Sequence, residues 1–375
     1  MQLLIIDHKT VWGGGQVALV NVLRAWQATR APIEPIVICP PRAELAPRVR
    51  ALNLACETFD LGAVEKTRGV AWNVAQRVAP AMRLLATIQR TRPRVILANG
   101  AFSFLAGVFA SKLARVPIVW WEHNTTLPGD ALLKRMMAWA NQIVVVSETI
   151  RAQFVALAPD AREKIAVIFN GVDTREFCAA QPRSRRSLMP FGWDENVRVV
   201  GTVSRLSSEK GIAYFIDAAR EILREMPATR FLIVGDGPLR AELEQQSAVC
   251  DLSSVVRLVG AQENVIEWLN ALDVFVMPSL EEAFGIAVVE AMACELPVVA
   301  SDVGGLREIV LENETGLRVP PRDADKIAGA VLELLRDENK RRAFGTAGRA
   351  RAEKFFTLER QAKELQKILE RGGNV

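Results

Sequence analysis

Histidine is scarce in this chain of 375 residues: there are two, His8 and His123. That count excludes metal catalysis built on several imidazoles, and any histidine chemistry must use one of this pair. The five cysteines, Cys39, Cys56, Cys178, Cys250 and Cys294, are odd in number, widely spaced and free of any C-x-x-C. Such usage argues against a structural zinc site and suits a reduced, cytosolic chain. No run of eighteen uncharged apolar residues occurs. The nearest, 95–111, is interrupted by Asn99, Gly100 and Ser103 and followed by Lys112 and Arg115, so it reads as a strand and a buried helix, not a membrane span. A strand pattern begins at once with "MQLLIID", so no leader peptide is expected. The glycines after it, "GGGQVA", spell neither G-x-G-x-x-G nor a P-loop, which removes the usual signature of a nicotinamide dehydrogenase. The one D-x-D, Asp323-Ala324-Asp325, follows "VPPR" at an expected helix start, where capping explains it.

Half of the residues are hydrophobic and 24% charged, as in a soluble globular protein. The length is about twice what one core fills, so two domains are expected. Short β-rich runs, "LLIID", "PIVIC", "RVILA", "PIVWW", "QIVVVS" and "KIAVIF", alternate with stretches of helical spacing such as 15–30 and 101–114. A polar break at 179–196 carries Pro182, Pro190 and Gly192, after which "RVVGTVS", "RFLIVGDG", "VVRLVG", "VFVMPS" and "LPVVAS" resume the alternation. Alternation of this kind implies parallel sheets with crossover helices. The expected class is α/β: two doubly wound, Rossmann-like domains joined near residue 185 and facing a cleft. Ligands of such sheets lie beyond the carboxyl ends of the strands, so functional motifs should stand just after strands.

Charge is uneven. Residues 1–170 carry 20 Lys and Arg against 11 Asp and Glu, and the remainder 27 against 32. The basic half either meets something anionic or has scattered arginines on solvated helices.

Several strand ends carry polar or glycine-rich segments. Gly13, Gly14 and Gly15 precede a helix whose N-terminus favours an anion, although a plain strand-to-helix turn fits equally. After "IVWW" come Glu122, His123 and Asn124; His123 is either a site residue or a hydrogen-bonded structural one. In "FNGVD", Asn170 and Gly171 suit a tight turn with positive φ. Arg205 and Lys210, in the loop after "RVVGTVS", pair a forked guanidinium with a flexible ammonium; they suit a diphosphate or are merely solvated. Gly235 and Gly237 form another strand-end turn. In "LEEAFGIAVVE", Glu282 stands in a loop, and Glu290 is a lone carboxylate in a helix that is apolar all round. Buried carboxylates need a partner. The helix N-terminus between the two glutamates offers unpaired N–H groups to an anion. A ligand with polar groups flanking a central phosphate fits, and a nucleotide sugar has that shape, with ribose on Glu290 and hexose by Glu282.

At this point the chain resembles the retaining glycosyltransferases of family 4, which have the GT-B fold and an E-x(7)-E motif, here Glu282 and Glu290. The resemblance covers nearly the whole chain. It rests on the Gly13-Gly14 loop, His123 after its strand, Asn170 to Asp173, Arg205 with Lys210-Gly211, Gly235-Asp236-Gly237, Pro278-Ser279, and Gly304-Gly305 with Glu308. A third glycine, Gly15, departs from the common pattern and leaves open which glycine meets phosphate.

The resemblance implies three parts: an acceptor-side domain over 1–180, a nucleotide-sugar domain over 190–355, and a helix at 356–375 that crosses back to the first domain. It assigns Arg205 and Lys210 to the donor diphosphate and His123 to the donor sugar near the reacting carbon. Glu282 goes to the sugar and Glu290 to the ribose. Backbone around Ala283, Phe284, Gly285 and Ile286 would contact sugar and phosphate, Gly13 or Gly14 the diphosphate, Gly235 the donor, and Gly260, Ala261 and Gln262 the base. The implied reaction retains anomeric configuration and needs no metal and no cofactor. The donor is a nucleotide-diphosphate sugar, a UDP-sugar favoured over GDP-mannose, and the acceptor a lipid-linked glycan or polysaccharide; no nucleic acid is expected as a partner.

The alternatives are a sugar-nucleotide 2-epimerase of similar fold, which needs more carboxylates and histidines around the sugar, and an inactive binder, which would be expected to lack Glu282, Lys210 or His123. Between 68 and 94, Arg68, Arg77, Arg83, Arg90, Arg92 and Arg94 interleave with Val70, Trp72, Val74, Val78, Met82, Leu84 and Leu85. A helix resting on an anionic membrane has such a face, and so has one that packs its apolar side into the core. The expected place is the cytoplasm, peripherally on the inner face of the membrane.

Overall fold

The computed structural model describes residues 1–62, 70–125, 129–180, 186–193 and 197–373, with the side chains of 70–77 and 186 excepted. Two compact units result, Met1–Gly171 with Leu358–Val375, and Val172–Thr357.

The first unit holds a parallel sheet of β1 (Gln2–Ile6), β2 (Glu34–Cys39), β3 (Ala55–Thr58), β4 (Val95–Asn99), β5 (Ile118–Glu122), β6 (Gln142–Val145) and β7 (Ile165–Val167). Their order is β3-β2-β1-β4-β5-β6-β7. The central strands β4 and β5 are buried throughout, Trp120 and Trp121 included, because helices cover both faces of the sheet. Right-handed crossovers from β3 to β4, β4 to β5 and β5 to β6 put their helices on one face. There, helix Val70–Thr91 packs on Ala101–Ala114, and that helix packs on Asp130–Trp139. Helix Gly14–Ala28 and the last helix, Leu358–Gly372, pack together, with Leu365 and Leu369 fully buried and Trp26 Nε1 donating to the Ala362 carbonyl at 3.1 Å.

The second unit repeats the plan with β8 (Arg198–Val203), β9 (Thr229–Val234), β10 (Val256–Gly260), β11 (Val274–Met277), β12 (Val298–Ser301) and β13 (Gly316–Val319). Their order is β10-β9-β8-β11-β12-β13, again all parallel. Its core gathers Phe215, Ile216, Ile222, Phe231, Ile233, Val274, Val276 and Val299. In each sheet the strand order reverses once, between β1 and β4 and between β8 and β11. Beyond the carboxyl ends of those pairs lie the crevices such sheets offer to ligands.

Two edge strands escaped the sequence reading. β3 reads Ala-Cys-Glu-Thr and β13 Gly-Leu-Arg-Val, each too short and too mixed to stand out, and each exists through pairing with one neighbour. The stretch 101–114 is indeed helical, but it is not simply buried: Phe102, Phe109 and Leu113 face solvent. Within helix Val70–Thr91, Leu84 is in the core while Val78 and Met82 are exposed. Arg83 lies over the Phe59 ring, and Arg90 pairs with Glu57 of β3. Arg68 and the side chains of Val70, Trp72, Val74 and Arg77 fall outside the described residues. No helix among the described residues is long and apolar enough to cross a membrane.

Candidate functional site

In the second unit, four loops at the carboxyl ends of β8, β9, β11 and β12 are knit together by their backbones. Leu206 N–H bonds to Asp236 O at 3.0 Å, Leu280 N–H to Glu209 O at 2.8 Å, and Gly305 N–H to Glu282 O at 3.0 Å. Two glycines permit this spacing. Gly211 has φ +62 and a Cβ there would lie 2.2 Å from Pro278 O; Gly304 has φ +47 and its Cβ would lie 2.0 Å from Glu282 O. Any larger residue would both strain the backbone and push these loops apart.

Lys210 follows β8 and Glu282 follows β11, so the switch point brings them together. Lys210 Nζ donates to Glu282 Oε2 at 2.6 Å, and Ser279 Oγ donates to the same oxygen at 3.3 Å. Both side chains are largely buried, 20% and 11% exposed. The sequence set Arg205 over the same crevice as Lys210; its side chain is exposed and makes no hydrogen bond or ion pair among the described residues. Gly285 caps helix Ile286–Ala293 with φ 110, placing that helix N-terminus beside Glu282, as the sequence anticipated. Ahead of it, Phe284 is buried edge-to-face on Phe356 and anchors the loop that includes Ala283. Gly235 and Gly260 meet across the ends of β9 and β10, where Gly235 N–H bonds to Gly260 O at 2.8 Å.

Glu290 lies on that same helix, half-buried and without a hydrogen-bond partner among the described residues. Burial, and after it the charge of Glu176, pushes its pKa from 4.5 up to about 7. A carboxylate held short of water and left unbonded is a strong acceptor awaiting donors.

At the switch point of the first unit the polar groups bond to one another. Asp7, fully buried, accepts from Asn99 Nδ2 at 2.5 Å, Gln16 Nε2 at 2.8 Å and Lys9 N–H at 2.9 Å. Asn99 also donates to Gly15 O at 3.3 Å, so its Oδ1 is the atom that receives His123 Nε2–H at 2.7 Å. His123 is therefore protonated on Nε2, while Nδ1 is buried without a partner among the described residues. Burial, and then the charge of Lys9, lowers its pKa to about 3, which keeps the ring neutral. A Cβ on Gly15 would lie 3.1 Å from His123 Cδ2, so the third glycine makes room for the imidazole, while Gly14 is exposed.

Glu122 is a structural residue. Its carboxylate accepts five hydrogen bonds, from Ala101 N–H, Trp120 Nε1, His123 N–H and both the N–H and Nδ2 of Asn124, at 2.8–3.0 Å. It thereby caps helix Ala101–Ala114 and fixes the turn that carries His123. His8 is bonded through both its N–H and Nδ1 to Ser103 Oγ, at 3.0 and 2.9 Å. The positive φ expected at Asn170 and Gly171 is absent; Gln361 grips both residues instead, its Oε1 receiving Gly171 N–H and its Nε2 donating to Asn170 Oδ1, each at 2.9 Å. Asp323 caps helix Ala324–Arg336 by accepting from Lys326 N–H at 2.9 Å, the role its D-x-D position suggested. Among the described residues no group of three or more His, Cys, Asp or Glu is placed to hold a metal ion. The sequence reading missed Asp7, Gln16 and Asn99 as a group, since only the fold joins positions so far apart.

Two family models match the chain, Glycosyltransferase Family 4 over residues 12–176 and Glycosyl transferases group 1 over residues 186–351. The lipopolysaccharide core biosynthesis mannosyltransferase LpsB of Rhizobium meliloti (strain 1021) is 31% identical over 248 residues, which are 64% of this chain and 70% of that protein. The alpha-maltose-1-phosphate synthase of Mycolicibacterium smegmatis is 34% identical over 246 residues, 61% of this chain and 62% of that one, so the chain spans about three fifths of that relative's length. Among solved structures, HepE of Anabaena in complex with UDP and glucose matches with a TM-score of 0.87 over 99% of this chain and 100% of that one, at 22% identity. At that identity the likeness is one of fold.

Proposed function

The chain belongs to the family 4 glycosyltransferases of GT-B fold, and on that premise we propose that it moves a hexose from a nucleotide-diphosphate sugar to a hydroxyl, with retention at the anomeric carbon and without a metal. The observation that carries this reading is Glu290: a carboxyl with a raised pKa, unbonded among the described residues, on the helix whose N-terminus lies beside the Lys210–Glu282 pair. Vicinal ribose hydroxyls supply the donors that Glu290 lacks. The diphosphate sits at the amides that open helix Ile286–Ala293. Lys210 then turns from Glu282 toward the diphosphate, joined by Arg205, and the two stabilise the charge that builds as it departs. Glu282, released, takes hydroxyls of the sugar. His123, neutral and already bonded at Nε2, serves as a packing wall for the sugar and not as a proton donor at pH 7. The acceptor attacks from the face the nucleotide leaves.

For the donor we place UDP-sugars ahead of GDP-mannose, in line with the UDP and glucose bound to HepE. For the acceptor we propose a lipid-linked glycan or envelope polysaccharide, extended from the cytoplasm at the inner face of the membrane. Melting curves with UDP, UDP-glucose, GDP and GDP-mannose test the core of this. Stabilisation by a nucleoside diphosphate or its sugar is expected in the wild type and much reduced in Glu290→Gln. No stabilisation by any of the four in the wild type overturns the assignment.

A further inference from the structure

Three neighbouring helices on one face of the first sheet each turn an apolar stripe to solvent. On Val70–Thr91 the stripe is Val78 and Met82, four residues apart; on Ala101–Ala114 it is Phe102, Phe109 and Leu113, spaced by seven and four; on Asp130–Trp139 it is Leu132 and Trp139, spaced by seven. Each spacing returns to the same side of a helix, so these are surfaces and not stray residues. All seven side chains are at least 40% exposed. The charged residues of these three helices are basic but for one. Helices Val70–Thr91 and Ala101–Ala114 contain no Asp or Glu, and Asp130–Trp139 contains only the residue at its start. Lys112, Arg115, Lys134 and Arg135 are exposed, and none has a carboxylate partner among the described residues.

We propose that this three-helix face docks on an anionic lipid surface. The inference rests on the membrane-side acceptor reading above and extends the face beyond the 68–94 stretch that the sequence suggested: Val78 and Met82 of that stretch stay on it, while Arg90 pairs with Glu57 and Leu84 belongs to the core. Charge selects the occupant. A second copy of the chain, joined through this face about a two-fold axis, would set lysines and arginines against one another with almost no acid to balance them. A bilayer with anionic headgroups neutralises the basic residues, while the aromatic and aliphatic stripes enter the headgroup boundary.

Co-sedimentation of the full chain with phosphatidylglycerol-containing vesicles and with neutral phosphatidylcholine vesicles, both at low salt, tests the proposal. Binding to the anionic vesicles only is expected. The variant Lys112→Ser/Arg115→Ser/Lys134→Ser/Arg135→Ser should weaken it by roughly fivefold per residue removed, and Phe109→Ser/Leu113→Ser/Trp139→Ser should lower it at least tenfold. These residues are exposed, and an unchanged melting curve checks that each variant folds. Equal binding by wild type and variants, equal binding to both vesicles, or no binding to either overturns the proposal. So does a concentration-dependent dimer in sedimentation velocity that the Phe109→Ser/Leu113→Ser/Trp139→Ser variant abolishes, which gives the face to a second copy. Donor-dependent melting shifts are read separately, so failure here leaves the glycosyltransferase assignment standing.

Discussion

The two switch points are built from similar loops but treat their polar groups in opposite ways. Beyond β1 and β4, Asp7 accepts from both Asn99 and Gln16, and the imidazole of His123 is tied in at Nε2, while Gln16 Oε1 and His123 Nδ1 are the buried atoms of this group without a partner among the described residues. Beyond β8 and β11, among the described residues, the Arg205 side chain makes no hydrogen bond or ion pair and only lends its charge to Glu209, the Glu290 carboxylate has no donor, and the pair Lys210–Glu282 is the one ionic contact between the two loops. A closed network rigidifies a surface and leaves little for a ligand to take up. An open set of charges is costly alone and becomes favourable when a ligand completes it. The first unit's switch point thus has its charge largely satisfied from within, and the second keeps charged groups that an anionic ligand can complete.

The largest effects should follow from breaking the open set. Lys210→Ala removes one of the two cations proposed for the departing diphosphate, and kcat is expected to fall about a hundredfold to a thousandfold. Arg205→Ala should act in the same direction. In both, donor affinity changes less than turnover, because the charge matters most as the bond breaks. Isothermal titration against steady-state rates separates the two quantities. Equal losses in affinity and kcat/KM with kcat intact would reduce both residues to anchors. Since these cations are proposed to do what a divalent ion does elsewhere, EDTA should leave the rate unchanged; full dependence on added manganese would sink that mechanism.

Next in size is Glu290→Gln. A hydrogen bond to a charged group is worth roughly 1.5–3 kcal/mol, so donor affinity should fall about tenfold to a hundredfold at pH 8. The pH dependence has a definite sign. The folded pKa of about 7 lies above the usual 4.5, so the free protein favours the protonated acid. Stability tied to this group is present below pH 4.5 and is lost as pH rises toward and through 7. Donor binding, which uses the ionised form, should instead strengthen between pH 6 and 8. Glu290→Gln should flatten both trends and raise the melting temperature of the free protein at pH 8. Unchanged affinity across that range would make Glu290 structural.

How legible all this was in the sequence follows the same division. Groups that await a ligand stand in short local motifs, so Glu282, Glu290, Arg205 and Lys210 could be found by reading along the chain. Their pairing could not, because Lys210 and Glu282 are 72 positions apart and meet only where β8 neighbours β11. The closed network was nearly invisible: Asp7 looked like the end of a strand, and Asn99 like an interruption in an apolar run. The apolar face of Ala101–Ala114 was hidden for another reason. A helix apolar all round gives no periodic contrast, so nothing distinguishes its solvent side from its core side.

A smaller effect should come from loosening the closed network. Asn99→Leu removes the donor to Asp7 and the acceptor for His123 Nε2–H in one step. Leaving buried groups unsatisfied costs about 1–3 kcal/mol, read as a lower midpoint in urea unfolding. If His123 is a positioned wall for the sugar, kcat should also drop about tenfold, with nucleotide affinity nearly unchanged. A stability loss with normal kinetics would limit the network to holding the fold.

Gly15→Ala is the gentlest of these changes and the one that best separates position from stability. Gly15 is helical, so alanine suits its backbone and should favour the helix by roughly 0.5–1 kcal/mol. Against this, the new methyl would sit 3.1 Å from Cδ2 and 3.2 Å from Cγ of His123, closer than such contacts normally come, and the ring must yield by a few tenths of an ångström. The two terms nearly cancel, so the melting temperature should move by no more than a few degrees in either direction. The imidazole, however, is displaced from the place Asn99 holds it. A fewfold loss of kcat with an unaltered melting temperature and an unaltered nucleotide Kd would tie turnover to the ring's position. If kcat also stays at the wild-type value, the wall tolerates displacement, and the first unit's closed network serves the fold alone.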